Sequence, residues 1–142
     1  MTEHGQARHR CSILVVDDDP DLQGVLRLAL TADGYDVDFA SDGRAALDYL
    51  RSHVDTCGIV LDLMLPGMDG AEFRARQLRD RSIAWIPVVV TSATIDAERY
   101  ARSLGAVRLL RKPFDLDDLR KTVSAISRNC RKADRTDELA GA

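Results

Sequence analysis

Gly58-Ile59-Val60-Leu61-Asp62-Leu63-Met64-Leu65-Pro66-Gly67-Met68-Asp69-Gly70 decides how the chain folds. An apolar run of this length reads as a buried central strand. It ends in a carboxylate, Asp62. Pro66 and Gly67 then force a turn, and Asp69 can cap a new helix with Glu72 as its capping-box partner. In parallel α/β sheets the carboxyl ends of the strands are where ligands bind. An acid after a strand is most often a turn or a cap, so Asp62 gains meaning only from the rest of the chain.

Upstream, Ile13-Leu14-Val15-Val16 reads as another buried strand and stops at Asp17-Asp18-Asp19. Asp19 suits an N-cap and Pro20 the first helical position. Leu22, Val25, Leu26 and Ala29 follow at helical spacing, and Gly34 ends that helix. Val37 and Phe39 alternate with Asp36 and Asp38, as in a half-exposed strand. Asp42-Gly43 turns the chain into a shorter helix marked by Ala46, Leu47 and Leu50.

Downstream of the central strand, a helix carries Phe73 and Leu78, with Gln77 interrupting its apolar face. Ile86-Pro87-Val88-Val89-Val90 is a strand with its proline at the entry, where a missing N–H matters least. It ends at Thr91-Ser92. Ala97, Tyr100, Ala101 and Leu104 form a helical stripe stopped by Gly105. Val107 to Leu110 is a fifth strand, followed by Arg111-Lys112-Pro113. Asp115 caps a last helix that turns Leu116, Leu119, Val123 and Ile126 inward, with Asp117 and Asp118 suiting its dipole. Five strand-helix alternations imply a parallel sheet with helices on both faces. The absence of a glycine-rich loop after the first strand argues against a dinucleotide fold.

The 142 residues, 45% hydrophobic and 30% charged, fit one globular domain. Residues 1–11 read as an extension, 12–130 as the domain, and 131–142 as a polar tail expected to fray, too short for an output domain. A net charge of −3 gives no general pull toward nucleic acid or anionic membranes. No apolar run approaches the ~18 residues of a membrane span, and the amino terminus has no apolar signal region. Cys11, Cys57 and Cys130 are expected to be reduced thiols of a cytoplasmic protein, forming neither a disulfide nor a zinc site.

The chemistry gathers at strand ends. Asp17 and Asp18 follow the first strand, Asp62 ends the third, Thr91 the fourth, and Lys112 lies just past the fifth. In a parallel sheet these ends share one rim. Singly, an acidic triplet is a capping turn and a Lys-Pro is a loop; together, chance is the poorer explanation. Two like charges ~4 Å apart repel by about 4 kcal/mol at an effective dielectric of 20. A hard divalent cation such as magnesium (Mg2+) resolves this with oxygen ligands. With one such ion and Lys112, the three carboxylates become a neutral site able to accept a phosphoryl group. Asp62 is the natural nucleophile, Mg2+ and Lys112 would offset charge on the moving oxygens, and Thr91 could donate its hydroxyl hydrogen.

Val15-Val16-Asp17-Asp18-Asp19, Leu61-Asp62-Leu63-Met64-Leu65-Pro66-Gly67-Met68-Asp69-Gly70, Val90-Thr91-Ser92-Ala93 and Lys112-Pro113-Phe114 together resemble the response-regulator receiver domain of two-component signalling. The resemblance runs from about Ile13 to Arg128. It implies a flavodoxin-like doubly wound α/β fold with five strands in the order 2-1-3-4-5 and five helices; the chemotaxis receiver is a worked case of that order. It also implies Asp62 as phosphoacceptor and Asp17, Asp18, Asp62 and the Met64 backbone carbonyl as Mg2+ ligands. Thr91 and Lys112 would grip the phosphoryl group, and Lys112-Pro113 would be cis. One position departs: three residues before the lysine, where such domains often carry an aromatic residue, stands Leu109, which has no large ring to swing as that aromatic switch does.

The implied partners are a sensor histidine kinase as phosphodonor or, for a phosphorelay intermediate, a histidine phosphotransfer protein to which the phosphoryl group passes. Downstream, a partner protein or a second copy of the chain would bind the face of the fourth helix, fifth strand and fifth helix, with Ser92, Leu109 and Pro113 in the switch and output region. Neither nucleic acid nor membrane is an expected direct partner. A phosphorelay intermediate and a degenerate receiver acting as a binding module are the alternatives within the family; the intact acidic set argues against the second. A phosphatase that forms an aspartyl-phosphate would need an acid two residues after its nucleophile, and Met64 stands there.

Overall fold

In a computed structural model that describes residues 11–141, with side chains through Arg128, strands and helices alternate as the sequence predicts. The strands are β1 Ser12–Val16, β2 Asp36–Ala40, β3 Gly58–Asp62, β4 Val88–Ser92 and β5 Arg108–Arg111. The helices are α1 Pro20–Ala32, α2 Gly43–Ser52, α3 Gly70–Arg79, α4 Ala97–Ser103 and α5 Leu116–Gly141. All strand pairs are parallel, in the order β2-β1-β3-β4-β5. The flavodoxin-like doubly wound α/β fold is therefore the one expected.

The pleat sorts the core into two layers. Alternate residues of a strand face opposite sides. Leu14, Val16, Ile59, Leu61, Val88 and Val90 pack toward Leu47 and Leu50 of α2, Phe73 of α3 and Ala101 of α4. Ile13, Val15, Val60 and Val89 pack toward Leu26 and Leu30 of α1 and Leu119, Val123 and Ile126 of α5. Each fully buried leucine of these helices contributes about 1.5–3 kcal/mol. β3 is buried along its whole length, whereas edge strand β2 is half exposed. That is the difference between a centre strand covered on both faces and an edge strand.

The caps are those the sequence announces. Asp19 Oδ1 accepts from the N–H groups of Asp21 and Leu22 with Pro20 opening α1. Asp69 Oδ1 accepts from Glu72 N at 2.9 Å. The reciprocal half of that capping box is replaced by an ion pair from Glu72 to Arg76 one turn on, 2.7 Å. Gly70 is required by proximity: a Cβ there would lie 3.0 Å from Leu63 Cα.

Several local expectations are corrected. Val25 and Tyr100 lie outside the buried stripes, 48% and 47% exposed. Leu78 faces solvent while Gln77 is fully buried, because the polar network of Arg74 and Gln77 takes the inner face of α3. The stretch 131–141, expected to fray, continues α5 as helix; Arg, Lys, Ala, Glu and Leu are good helix formers and no proline intervenes. Cys57 is disulfide-bonded, against the expectation of reduced thiols. Residues 1–10 of the expected extension lie outside the described residues. Among the described residues no helix is long and apolar enough to cross a membrane.

Candidate functional site

The carboxyl ends of β1, β3, β4 and β5 bring the predicted residues to one rim. Val16 pairs with Leu61 across β1 and β3, so Asp17 leaves its strand beside Asp62. Asp62 pairs with Thr91, and Ser92 with Arg111, which sets Lys112 at the same edge. The Lys112 Nζ donates to Asp17 Oδ2 at 2.9 Å and to Asp62 Oδ2 at 3.1 Å. One ammonium thus joins two carboxylates from separate strands.

Each carboxylate is also held from its other side. Asp17 Oδ1 accepts from Asp19 N, 2.9 Å, and Asp62 Oδ1 accepts from Met64 N, 3.0 Å. Both bonds span two residues, the reach of an Asx turn. Gln23 of α1 donates its Nε2 to the Asp17 carbonyl. Asp17 and Asp62 are buried, at 3% and 6% exposure, whereas Asp18 is exposed. The rim is therefore a floor of two fixed acids with a third at its open side. Asp17, Asp18 and Asp62 each offer an oxygen within 4.8 Å of the others.

Electrostatics follows from burial. Removing Asp62 from water raises its pKa above the usual value, against the lowering effects of the Met64 N–H and Lys112. Burial pulls the Lys112 ammonium down, but its bonds to Asp17 and Asp62 outweigh that and leave it raised. Lys112 therefore stays charged at neutral pH. One cation against three acids leaves an excess of negative charge in a space of a few ångströms.

Thr91 is buried at the end of β4, and its carbonyl accepts from Leu63 N at 3.1 Å. Ser92, fully buried, shares a hydrogen with Thr94 between their hydroxyls at 2.6 Å, and its carbonyl accepts from Lys112 N at 2.8 Å. Met64 exposes its side chain. The Lys112-Pro113 bond is cis, as expected. Leu109 of β5 is half-buried and packs against the layer that faces α4.

Sequence reading missed three things, two at this edge and one at the opposite edge of the sheet. Thr94 belongs to the Ser92 turn, for which the Ser-x-Thr spacing is the available signal. Asp96 stands at the N-cap position of α4 without making a capping bond. Arg74 and Gln77 build a second buried polar cluster, from Arg74 Nε to the Leu104 carbonyl at 2.9 Å and Nη1 to Gln77 Oε1 at 2.7 Å. Nothing in a single sequence marks an arginine of a charged helix as buried.

Comparison with known proteins follows the geometry. A family model, that of the response regulator receiver domain, matches residues 13–124. The transcriptional regulatory protein TcrA of Mycobacterium tuberculosis is 42% identical over 118 residues, which cover 82% of this chain and 46% of that protein. The response regulator MprA of Mycolicibacterium vanbaalenii is 40% identical over 129 residues, 90% of this chain and 55% of that one. Among solved structures, the Vibrio cholerae chemotaxis protein CheY4 superposes with a TM-score of 0.75 at 26% identity, covering 82% of this chain and 98% of its own. The receiver domain of the Francisella response regulator 1452 gives 0.74 at 29%, covering 84% and 98%. The chain thus spans about half the length of the curated relatives and nearly all of these solved structures.

Proposed function

Because the chain belongs to the response-regulator receiver family of two-component signalling, we propose that it carries a signal as a phosphoryl group on Asp62. The observation that supports this best is Lys112 joining Asp17 and Asp62 on a rim that retains excess negative charge. A buried carboxylate held by one N–H and one ammonium keeps its free lone pairs in a fixed direction, as an attacking group needs.

Each residue has a distinct part. The Asp62 oxygen attacks the phosphorus of a phosphohistidine or a small phosphodonor, and the bond from phosphorus to the donor breaks. Met64 N–H and Lys112 orient Asp62, and Lys112 stabilises charge on the transferred oxygens. Thr91 donates its hydroxyl to a phosphoryl oxygen. Asp17, Asp18 and Asp62 fit a hard cation such as Mg2+, since the donor set is all oxygen and mutually close; the Met64 carbonyl is the further ligand proposed. The bound ion would supply neutralisation of the acids and of the phosphoryl oxygens. The protein in this reading is a phosphoacceptor, with no separate substrate to turn over.

The donor in this reading is a sensor histidine kinase or a small phosphodonor; a histidine phosphotransfer protein takes the phosphoryl group on in the relay alternative. Output passes through the face of α4, β5 and α5, because Lys112 and the Ser92 turn connect the rim to that side. Leu109 stays packed instead of swinging, so the β4–α4 connection carries the change. Intact-mass spectrometry after incubation with acetyl phosphate and Mg2+ tests the reading. Wild type gains one phosphoryl mass and Asp62→Asn gains none; equal incorporation by both would sink the assignment.

A further inference from the structure

Beside the rim, the β3–α3 and β4–α4 connections border a pocket of about 220 Å³ that is open to solvent. Leu63, Met64, Ala71 and Tyr100 contribute apolar lining, and Asp69, Thr94 and Asp96 polar lining. Small-molecule sites usually measure about 300–1,000 Å³, so this space holds a single long side chain. Its surroundings are apolar where solvent would favour polar groups: Met64 is 64% exposed, Tyr100 47%, and Ile95, between two lining residues, 90%.

The charge at the cavity has one sign. Asp96 forms no capping bond, and neither Asp69 nor Asp96 has a cationic partner within ion-pair distance among the described residues. A small pocket lined by both apolar side chains and two carboxylates matches a lysine or arginine, whose stem is aliphatic and whose head is cationic. The position matters as much as the chemistry. Met64, which lines the cavity, donates the N–H that holds Asp62. Thr94, also lining it, bonds Ser92, next to Thr91. A protein that delivers a phosphoryl group to Asp62 must cover this same edge.

Resting on the phosphoacceptor reading for its occupant, we infer that this cavity receives one arginine or lysine side chain of the phosphodonor protein. It is a recognition pocket beside the reacting group, and Asp96 is a specificity determinant that touches no reacting atom. A small phosphodonor has no side chain to place there and is indifferent to it.

Two measurements test this. In the first, isotope-labelled protein is titrated with N-acetyl-arginine amide, and with the neutral N-acetyl-citrulline amide as control, while amide NMR shifts are followed. Saturable shifts at Met64, Ala71, Thr94 and Asp96 are expected with the arginine compound alone, with a midpoint of roughly 1–10 mM for so small a ligand. Asp96→Asn should weaken that binding by about two- to fivefold, the range of an exposed ion pair. No saturation, or equal shifts with citrulline, overturns the pocket. This arm requires no phosphoryl transfer, so it stands even if Asp62 proves not to be phosphorylated. In the second, Asp96→Lys is phosphorylated by acetyl phosphate and by the sensor kinase that phosphorylates wild type fastest in a purified set. Transfer from the kinase should slow by about tenfold, as charge reversal at a rim does to association, with the acetyl phosphate rate unchanged. An unchanged kinase rate, or equal loss with both donors, overturns the assignment of the occupant.

Discussion

The rim around Asp62 and the bridge around Arg74 both take charged groups out of water, and they do so in opposite ways. Arg74 spends its donors on neutral acceptors: the Leu104 and Gly105 carbonyls and Gln77 Oε1. Gln77 turns its Nε2 to the Ile83 and Ile86 carbonyls. Burial lowers the Arg74 pKa, and among the described residues it has no counter-ion. It ties α3 to the α4–β5 turn and to the loop before β4. At the rim, by contrast, three acids meet one ammonium. Every buried side-chain polar atom among the described residues has a partner, so the difference lies in charge and not in missing hydrogen bonds. A closed polar network holds a fold together; one left with excess charge and an open side is suited to a ligand.

The comparison can be broken most sharply at Lys112. Lys112→Ala removes the ammonium that joins Asp17 and Asp62. Phosphorylation by acetyl phosphate should slow by about 10²–10³-fold, as loss of one preorganised electrostatic donor does, while far-UV circular dichroism stays native. A rate within a few-fold of wild type would mean that the rim does not work by charge.

Arg74→Ala should do the reverse. It leaves Gln77 Oε1 and two carbonyls without their donor in a buried place, at a cost of about 2–4 kcal/mol in urea unfolding. The folded fraction should still phosphorylate at close to the wild-type rate. A large loss of rate with unchanged stability would make the bridge part of the chemistry.

A smaller effect separates the two regions by ligand. Mg2+ at ten times its Kd should stabilise wild type and Arg74→Ala alike by about 1.4 kcal/mol, and Asp18→Ala should lose most of that gain. Melting temperatures in EDTA and in Mg2+ give the measurement; curves indifferent to Mg2+ would count against the acidic set.

The smallest effect is one of pH. Asp62 has its pKa raised in the folded state, from 3.8, chiefly by burial. The folded protein then holds this proton more tightly than the unfolded chain. Stability is therefore favoured below the unfolded pKa and falls as pH rises from 3.8 through the folded value. In EDTA, Asp62→Asn should be more stable than wild type at neutral pH, with the advantage vanishing in acid. An advantage that grows in acid would reverse the sign of the Asp62 environment.

Periodicity and caps determined much of this protein by themselves. The alternation of apolar strands with Asp-capped helices, at Asp19, Asp42, Asp69 and Asp115, reports backbone geometry that depends only on near neighbours. Once the sheet is parallel, the strand ends share an edge, so Asp17, Asp62, Thr91 and Lys112 are legible as one group in the sequence itself. Tertiary structure decided what depends on distant neighbours. It placed Gln77 inside and Leu78 outside, because carbonyls at Ile83 and Ile86 needed a donor more than the core needed another leucine. It turned Tyr100 and Val25 outward and set Asp96 and Tyr100 beside Met64 around an open pocket. Hydrophobic periodicity states what a helix offers; which face is taken depends on polar groups brought near by other parts of the chain, and those contacts leave no local mark on the sequence.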